Sequence, residues 1–353
     1  MSGKNIAVVA GYWSTNIGNS FFQLGAEYLL KKVFPNDNVF IFADQPGYWN
    51  VNEGNPPNSF PMLESMDLDY LVIQGPFLRP EFDKIWLKTL RQLQSTGTKI
   101  IVLAAGMMKY DAENVRKYRE WLSEVPPFIF TTRDTDTYRL IHDLAEHSYD
   151  GVDTALFITD LFHPPKTNLG EYVVYNFDKW PEPKIWYTEK NNTKAFADNS
   201  FHFDDHVWNL KFPTMRKRMV QKSRLMQTID SWVPENVATS LNGYKIVRTD
   251  HRTNPYYIRN TYRRPNTFAH DLPQSYLAIY ANAKLTLSNR VHACVATMAY
   301  GNSAMLFSET PRARLLDRLG ATEISKKPVK LDLALVAEEK YKMTEWLKAV
   351  VND

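Results

Sequence analysis

The fold is decided by the stretch Lys284–Phe307, which reads KLTLSNRVHACVATMAYGNSAMLF. Its pattern predicts a short apolar strand, a polar turn that carries Arg290 and His292, a helix of small residues and a second strand. In open α/β sheets, anionic ligands bind where a strand ends and a helix begins, because free N–H groups and the helix dipole favour negative charge. Arginine offers a bidentate fork to a carboxylate or phosphate, and histidine can transfer a proton near neutral pH. The stretch therefore indicates an anion site in an α/β protein.

Strands and helices alternate along the rest of the chain as well. Short β-branched runs, separated by segments with helical spacing, are typical of parallel βα units. The expected strands are Asn5–Ala10, Val39–Ala43, Tyr70–Gln74, Lys99–Ala104, Pro127–Thr131, Glu171–Asn176, Tyr244–Val247, Lys284–Leu287 and Ala304–Phe307. We therefore predict an α/β fold with two Rossmann-like, doubly wound domains that face each other across a central cleft.

The length of 353 residues exceeds what one core usually supports, so two domains are expected. Prolines and polar residues interrupt the pattern near residue 165, which divides the chain into 1–165 and 166–330. The segment 178–235 is aromatic and irregular at first and helical from about Pro213 to Ser231, and we interpret it as an insertion that could cover the cleft. A C-terminal helix within 331–353 could pack back on the first domain.

The composition argues against several functional classes. The single cysteine, Cys294, excludes an internal disulfide and a cysteine-cluster metal site, and its small apolar neighbours predict a buried thiol. A net charge of +3 is too small to favour nucleic acid binding, although that partner stays possible. The basic run Arg216–Arg224 fits a solvated helix face or contact with an anionic acceptor.

No segment has the signature of a membrane span or a secretion signal. No apolar run approaches the roughly 18 residues that a spanning helix needs. Lys4 is followed almost directly by a strand, without the apolar region or cleavage site of a signal peptide. We therefore expect a cytoplasmic protein.

A polar loop follows the first strand, between Gly11 and Gly18. Neither the glycine pattern of dinucleotide sites nor that of P-loops is present. The side chains available to bind an anion or hydroxyls are Ser14, Thr15, Asn16 and Asn19. The alternative is a capped strand–helix turn. Gln74 ends another strand, and the carboxyl ends of parallel strands border the same cleft.

The sequence Arg248-Thr-Asp-His-Arg252 also follows a strand. His251 is expected to border the same cleft as His292, with Asp250 either orienting it or capping the next turn. More arginines follow in a loop-like stretch, namely Arg259, Arg263 and Arg264. They fit either an anion-binding lid or an ordinary solvated surface.

Other polar residues have weaker signals. Arg133 could face the cleft or fix a helix start with Asp134, and Asp153 could orient a cleft residue or cap a turn. His202 and His206 have the spacing of a helical metal-ligand pair, but the segment lacks a helical pattern and the glutamate of zinc proteases. We therefore expect no metal.

Taken in order, these segments resemble the polysaccharide pyruvyl transferase family over most of residues 5–320. The most specific match is the Arg-x-His-Ala motif, here Arg290–Ala293, followed by a small-residue helix, a glycine and a strand. The other matching elements are Asn16–Asn19, Gln74–Gly75, Arg133–Asp134 and Asp153–Leu156.

The resemblance implies a two-domain fold like that of B-type glycosyltransferases (GT-B). It also implies transfer of the pyruvyl group of phosphoenolpyruvate to two hydroxyls of a saccharide, which gives a pyruvate ketal without a further cofactor. The first domain would bind the acceptor and the second the donor. Arg290 would hold the donor carboxylate or phosphate, and His292 would protonate the enol ether carbon or assist phosphate departure.

The remaining site residues follow from the same arrangement. Those expected on the donor side are Asn289, Arg252 and Arg263, those on the acceptor side are Ser14, Asn16, Asn19 and Gln74, and those assisting catalysis are His251 and Asp250. The chain departs from the family where the first strand of the second domain ends Tyr175-Asn-Phe-Asp178, because an arginine that completes the anion clamp is expected there. Arg252 or Arg263 could substitute for it. Asn19 and Ser303 are further departures.

Two other functions remain open at this point. A GT-B glycosyltransferase would use a nucleotide sugar, with the same arginines and histidines neutralising the diphosphate, and its acceptor could be a glycan, a lipid or a nucleic acid. A non-catalytic relative would bind a glycan without turnover.

Overall fold

The computed structural model describes residues 3–43, 60–178, 181–188, 198–223, 225–226, 229, 237–252 and 264–352. Three arginines that the sequence singled out lie outside these ranges, namely Arg224, Arg259 and Arg263, as does Ser231, the predicted end of a helix. Within them, the chain forms two mainly parallel sheets with helices packed against them, which confirms the predicted fold class.

The first sheet has six parallel strands in the order β2-β1-β3-β4-β5-β6. Their bounds are β1 Asn5–Ala10, β2 Asn38–Ala43, β3 Tyr70–Gln74, β4 Lys99–Ala105, β5 Ile129–Thr132 and β6 His147–Asp150. Ile6 and Val8 pack on one face of the sheet and Val9 on the other, so β1 is buried on both faces. The order reverses between β1 and β3, and their carboxyl ends therefore border a crevice.

Helices pack on both faces of this sheet. Their bounds are α1 Gly18–Val33, α2 Phe60–Glu64, α3 Lys88–Ser95, α4 Ala112–Glu124, α5 Thr135–Ile141 and α6 Ile158–Leu161, with a π-helical turn at Asp83–Leu87 and 3-10 turns at His142–Leu144 and Thr154–Phe157. Asp111 and Asp134 cap α4 and α5, because their carboxylates accept backbone N–H groups of the first turn.

The second sheet has the order β11-β12-β7-β14-β15, with β13 beside β12. The elements of this half are β7 Tyr172–Asn176, β8 Lys184–Thr188, β9 Asn199–Phe203, β10 His206–Lys211, α7 Thr214–Lys222, β11 Ser240–Leu241, β12 Tyr244–Thr249, β13 Thr267–Phe268, α8 Pro273–Asn282, β14 Leu285–Ser288, α9 Val291–Ala299, β15 Ser303–Leu306, a 3-10 segment Pro311–Leu319 and α10 Leu333–Asn352. Strands β12, β7, β14 and β15 are parallel, and the order reverses between β7 and β14. Of the helices in the described ranges, none combines the length and apolarity that crossing a membrane requires.

The segment after β7 is more regular than its sequence suggested. Strands β8, β10 and β9 form an antiparallel sheet where an irregular segment was predicted. Trp208 is only 1% exposed and contacts Phe201 and Tyr187, so its indole belongs to the core of this sheet. The helix predicted from about Pro213 to Ser231 is interrupted, since α7 ends at Lys222 and Ser223 is extended. Residues 225, 226 and 229 are helical again, and the predicted end at Ser231 lies outside the described residues.

One apolar core joins the two halves of the chain. It contains side chains from the first sheet, from α1 and from β7, α8, α9 and α10. Helix α10 lies against the first half, where Trp346 stacks on Tyr149 with ring centroids 5.0 Å apart and Lys340 pairs with Asp160. The relative position of the two sheets is therefore fixed by buried contacts.

Gly25 allows helix α1 to pack closely against the backbone of Thr154. A Cβ atom at this position of α1 would overlap the carbonyl oxygen of Thr154, in the 3-10 turn that follows the first sheet. Overpacking typically costs about 1–3 kcal/mol, whereas alanine favours a helix by about 1 kcal/mol over glycine. Because a backbone oxygen cannot rotate away, we expect Gly25→Ala to lower the free energy of unfolding by about 2 kcal/mol, measured by urea denaturation.

Glu27→Ala on the same helix is the matched control. Among the described residues, Glu27 forms an ion pair only with Lys31 on the surface, so its loss should cost less than about 0.5 kcal/mol. If Gly25→Ala were as stable as the wild type, the close packing of α1 on Thr154 would be contradicted.

Candidate active site

A polar pocket of about 320 Å³ lies between the two halves of the chain. It is lined by Val9, Tyr12, Thr15, Asn16, Asn19, Phe22, Gln23, Ile73, Gln74, Pro76, Phe77, Arg79, Trp86, Met108, Arg290 and Arg312. The β1–α1 loop and the segment after β3 come from the first half, whereas Arg290 and Arg312 come from the second. The pocket is thus built by both halves of the chain.

Arg290 lies at the N-terminus of α9 and is 8% exposed. Its Nε donates to both oxygens of Asp178, at 2.7 and 3.0 Å, which fixes the direction of the guanidinium. Its Nη2 is buried and has no hydrogen-bond partner within the described ranges. A buried charged donor without a partner is costly, and an anion in the pocket would supply the missing acceptor.

Two further arginines face the same space. Arg312 follows β15 and contacts the sulfur of Met108, while Arg79 follows β3 and lies against the ring of Tyr12. Within the described part of the chain, neither of them forms an ion pair with a carboxylate. Burial lowers the pKa of Arg312 to about 10, and the positive charges of Arg133, Arg290 and Arg79 contribute to the shift. The pocket therefore carries an excess of positive charge.

The opposite wall offers acceptor oxygens. Asn16 Nδ2 donates to Asn19 Oδ1 at 2.8 Å, and Gln74 Nε2 donates to the carbonyl of Val9 at 3.2 Å. The remaining amide oxygens, Asn16 Oδ1 and Gln74 Oε1, are buried without a hydrogen-bond partner among the described residues. Buried acceptors of this kind match ligand hydroxyls.

His292 lies directly behind the pocket wall. Its ring packs against pocket-lining Phe22, with centroids 5.0 Å apart, and its Nε2 is 3.5 Å from Asp153 Oδ2. Burial lowers the pKa of His292, and the charges of Arg133 and Arg312 lower it further, although Asp153 opposes them. The imidazole is therefore neutral at neutral pH.

Asp153 links this histidine to a buried arginine. Its Oδ2 accepts from Arg133 Nη1 at 2.7 Å, and its Oδ1 caps the following 3-10 turn through the N–H of Ala155. Burial raises the pKa of the Asp153 carboxyl, but the Arg133 charge and the His292 contact outweigh it and hold the pKa below the usual range. Asp153 thus orients the Arg133 guanidinium and also caps a turn. Orientation of a neighbour and capping are the two roles that the sequence left open.

His251 does not border the pocket. The side chain is 0% exposed, and its Nε2 lies 2.6 Å from the hydroxyl of Tyr280. Its carbonyl accepts from the N–H of Ile17, at the start of α1. Asp250 is equally buried, and its carboxylate accepts from the N–H of Arg252. This contact caps the following turn, which is one of the two roles expected for Asp250. These residues hold strand ends together instead of facing a ligand.

Only some of the other predicted site residues line the pocket. Asn16, Asn19 and Gln74 line the pocket, whereas Ser14, Asn289 and Arg252 do not. Asn289 is fully buried, and its backbone N–H donates to the carbonyl of Asn176. Arg263 lies outside the described residues.

The two histidines considered for metal binding lie on different strands. His202 and His206 lie on the antiparallel strands β9 and β10, so they do not form a helical pair. Within the described ranges, no group of three or more potential ligands could hold a metal ion.

Sequence reasoning missed Arg79, Arg312 and the pairing of Asp178. Arg312 follows Thr310, which caps the 3-10 segment after β15, and Arg79 lies shortly after β3. Both positions follow carboxyl ends of parallel strands, the rule that identified Arg290. Applying that rule to every strand would have found both arginines.

Comparisons with known proteins agree with this architecture. Residues 16–308 match the family model described as polysaccharide pyruvyl transferase. No curated protein matches the chain in sequence. In fold, it is similar to the S. aureus MnaA–UDP complex, with a TM-score of 0.50 at 9% identity over 99% of this chain and 90% of that chain. A UDP-N-acetylglucosamine 2-epimerase gives a TM-score of 0.50 at 8% identity over 98% and 91%. At such low identity these likenesses concern the fold, a two-domain GT-B-like arrangement.

Proposed function

Because the chain belongs to the polysaccharide pyruvyl transferase family, we propose that this transferase moves the pyruvyl group of phosphoenolpyruvate to two hydroxyls of a saccharide. The product is a pyruvate ketal, and inorganic phosphate is released. The observation that carries the choice of donor is the arginine excess of the pocket, in which Arg290, Arg312 and Arg79 converge.

The charge of phosphoenolpyruvate suits this excess. A carboxylate and a phosphate ester together carry about three negative charges at neutral pH. Arg133 and Arg290 are each paired with one aspartate, while Arg79 and Arg312 have no carboxylate partner among the described residues. A ligand with two anionic groups would offset those charges and give Arg290 Nη2 its acceptor.

The acceptor saccharide would bind on the amide side of the pocket. Asn16 Oδ1 and Gln74 Oε1 can each accept a hydrogen bond from a sugar hydroxyl. The two oxygens that form the ketal would then face C2 of the donor, which the arginines hold on the other side. Such positioning accounts for a large share of the rate enhancement in transfer reactions.

The reaction needs proton transfer at each bond change. Each acceptor oxygen bonds to C2 and loses its proton, the bond from C2 to the phosphate oxygen breaks, and C3 gains a proton to become a methyl group. The two hydroxyl protons therefore balance one proton on C3 and one on the released phosphate. Because His292 lies behind pocket-lining Phe22 and is neutral, we assign it as the base that takes a hydroxyl proton through one water and returns it to the departing phosphate. Asp153 would stabilise the imidazolium formed in between.

The direct test is to incubate the protein with phosphoenolpyruvate and a panel of saccharides and to measure phosphate release and product mass. Phosphate release that requires an acceptor, with a product heavier by one pyruvyl group, is expected. UDP or GDP release from nucleotide sugars, with phosphoenolpyruvate left unchanged, would contradict the proposed donor. Glycan binding without turnover of any donor would contradict the assignment as a pyruvyl transferase.

A further inference from the structure

One buried carboxylate connects the two walls of the pocket. We propose that Asp178 is a positioning residue that couples the donor-binding Arg290 to the β1–α1 loop of the acceptor side. The inference rests on the proposed function for the identity of the donor, but the coupling itself is a property of the chain. Asp178 follows β7, the first strand of the second sheet, and is 1% exposed.

The first link of the coupling is the Arg290 side chain. Both carboxylate oxygens of Asp178 accept from Nε, so this edge of the guanidinium is occupied and the Nη2 edge is left for a ligand. This single N–H, shared between two oxygens, is a charge-assisted bifurcated hydrogen bond that ties the Nε edge of the guanidinium to Asp178. Any rotation of Arg290 therefore acts on Asp178.

The second link runs through a backbone. Asp178 Oδ2 also accepts from the N–H of His251 at 3.0 Å. The carbonyl of the same residue accepts from the N–H of Ile17 at 2.7 Å. Ile17 is the residue before α1 and follows directly on pocket-lining Asn16. The path from Arg290 to the acceptor loop thus contains only short hydrogen bonds between buried groups.

Close packing reinforces the second link. A Cβ atom at Gly18 would lie 3.0 Å from His251 Nδ1, 3.2 Å from His292 Cβ and 3.3 Å from Asn16 Oδ1. The first turn of α1 therefore rests directly on the residue that Asp178 holds. A shift of His251 must move this turn, and with it Asn16 and Asn19.

Simple charge neutralisation is the competing role for Asp178, and it predicts the opposite effect on donor binding. If Asp178 served only as a counter-ion, replacing it with asparagine would raise the positive charge of the pocket and tighten anion binding. If Asp178 positions Arg290, the same change weakens anion binding. An asparagine amide has one accepting oxygen and one donating NH₂ group, so it cannot hold Nε as the two carboxylate oxygens do. The sign of the change therefore separates the two roles.

The experiment uses the full chain and three variants. Asp178→Asn removes the central link, and Gly18→Ala perturbs the loop end of the path without altering the side chains of Asp178 and Arg290. Asp150→Asn is the matched control, because Asp150 pairs with Arg318 and does not line the pocket. Amide hydrogen exchange of the peptide covering residues 11–22 is measured without ligand and with phosphoenolpyruvate, and the Kd of phosphoenolpyruvate is measured by calorimetry.

For Asp178→Asn we expect at least about tenfold faster exchange in this peptide without ligand, and at least about tenfold weaker phosphoenolpyruvate binding. Gly18→Ala should weaken binding in the same direction, and Asp150→Asn should change neither quantity. Unchanged exchange, or a Kd that is equal or tighter in Asp178→Asn, would overturn the coupling. If the wild type binds no phosphoenolpyruvate, the proposed donor fails, while the ligand-free exchange still decides the coupling.

Discussion

Replacing Arg290 with alanine is expected to lower kcat/KM for phosphoenolpyruvate by about a thousandfold. The loss has two sources, since the donor loses a charge-assisted hydrogen bond and Asp178 is left as a buried carboxylate without its arginine. Removing one positioned donor to a reacting anion typically costs about 10²–10³ in rate, and a buried carboxylate that loses its arginine adds to this. The measurement is steady-state phosphate release at saturating acceptor.

A matched pair of arginines on one segment controls for the general loss of charge. Arg312→Ala should lower kcat/KM about a hundredfold, because Arg312 lines the pocket but leaves no unpaired partner behind. Arg314→Ala, two residues later, removes a surface pair with Asp136 and should change kcat/KM less than about twofold. Equal losses for Arg312 and Arg314 would contradict an anion site at this position.

Replacing His292 with alanine is expected to lower kcat by about 10²–10⁴, the usual contribution of a general acid or base. The pH dependence tests which of the two it is. Burial lowers the pKa of His292 from its ordinary 6.5, so a base is already active at pH 7 and loses activity only as the pH falls below 6.5. The wild-type kcat/KM should therefore be flat above pH 7 and decrease on the acid side.

The phosphate of the donor also titrates near pH 6, so the acid limb needs a control. Asp153 raises the pKa of His292, and Asp153→Asn should therefore move a limb caused by His292 to lower pH. A limb caused by the donor would stay in place. Activity that instead falls from pH 6.5 to 8 would mean that the protonated imidazole is required and that His292 acts as an acid. His142→Ala, at an exposed histidine outside the pocket, should leave the profile unchanged.

The parts of the site that follow strand ends could be predicted from sequence. Arg290 and Asn16 lie where the pattern of a strand, a polar turn and a helix indicated, because parallel sheets bring these turns to one edge. The same pattern indicated His251, which is buried instead. Whether a strand-end side chain faces the pocket or the neighbouring helix depends on the packing of Tyr280 and α1 against it, and no local signal records that packing.

The small antiparallel sheet could not be predicted for a related reason. Its buried face is aromatic and its strands are short, so alternation is visible over only a few residues on each side of the turn at Asp204. Trp208 is buried because Tyr187 and Phe201 surround it from neighbouring strands, and these partners become neighbours only once the sheet has formed.

The continuous apolar core has a consequence for how such proteins can be recombined. A chimaera that joins the first half of this chain to the second half of a relative would bring together surfaces of α1, α9 and α10 that did not evolve against each other. Exchange of specificity between relatives is therefore easier at the pocket wall around Trp86, which belongs to a second apolar cluster made of first-half residues, than by swapping whole domains. Grafting at single loops is the route by which this scaffold can be given a new acceptor.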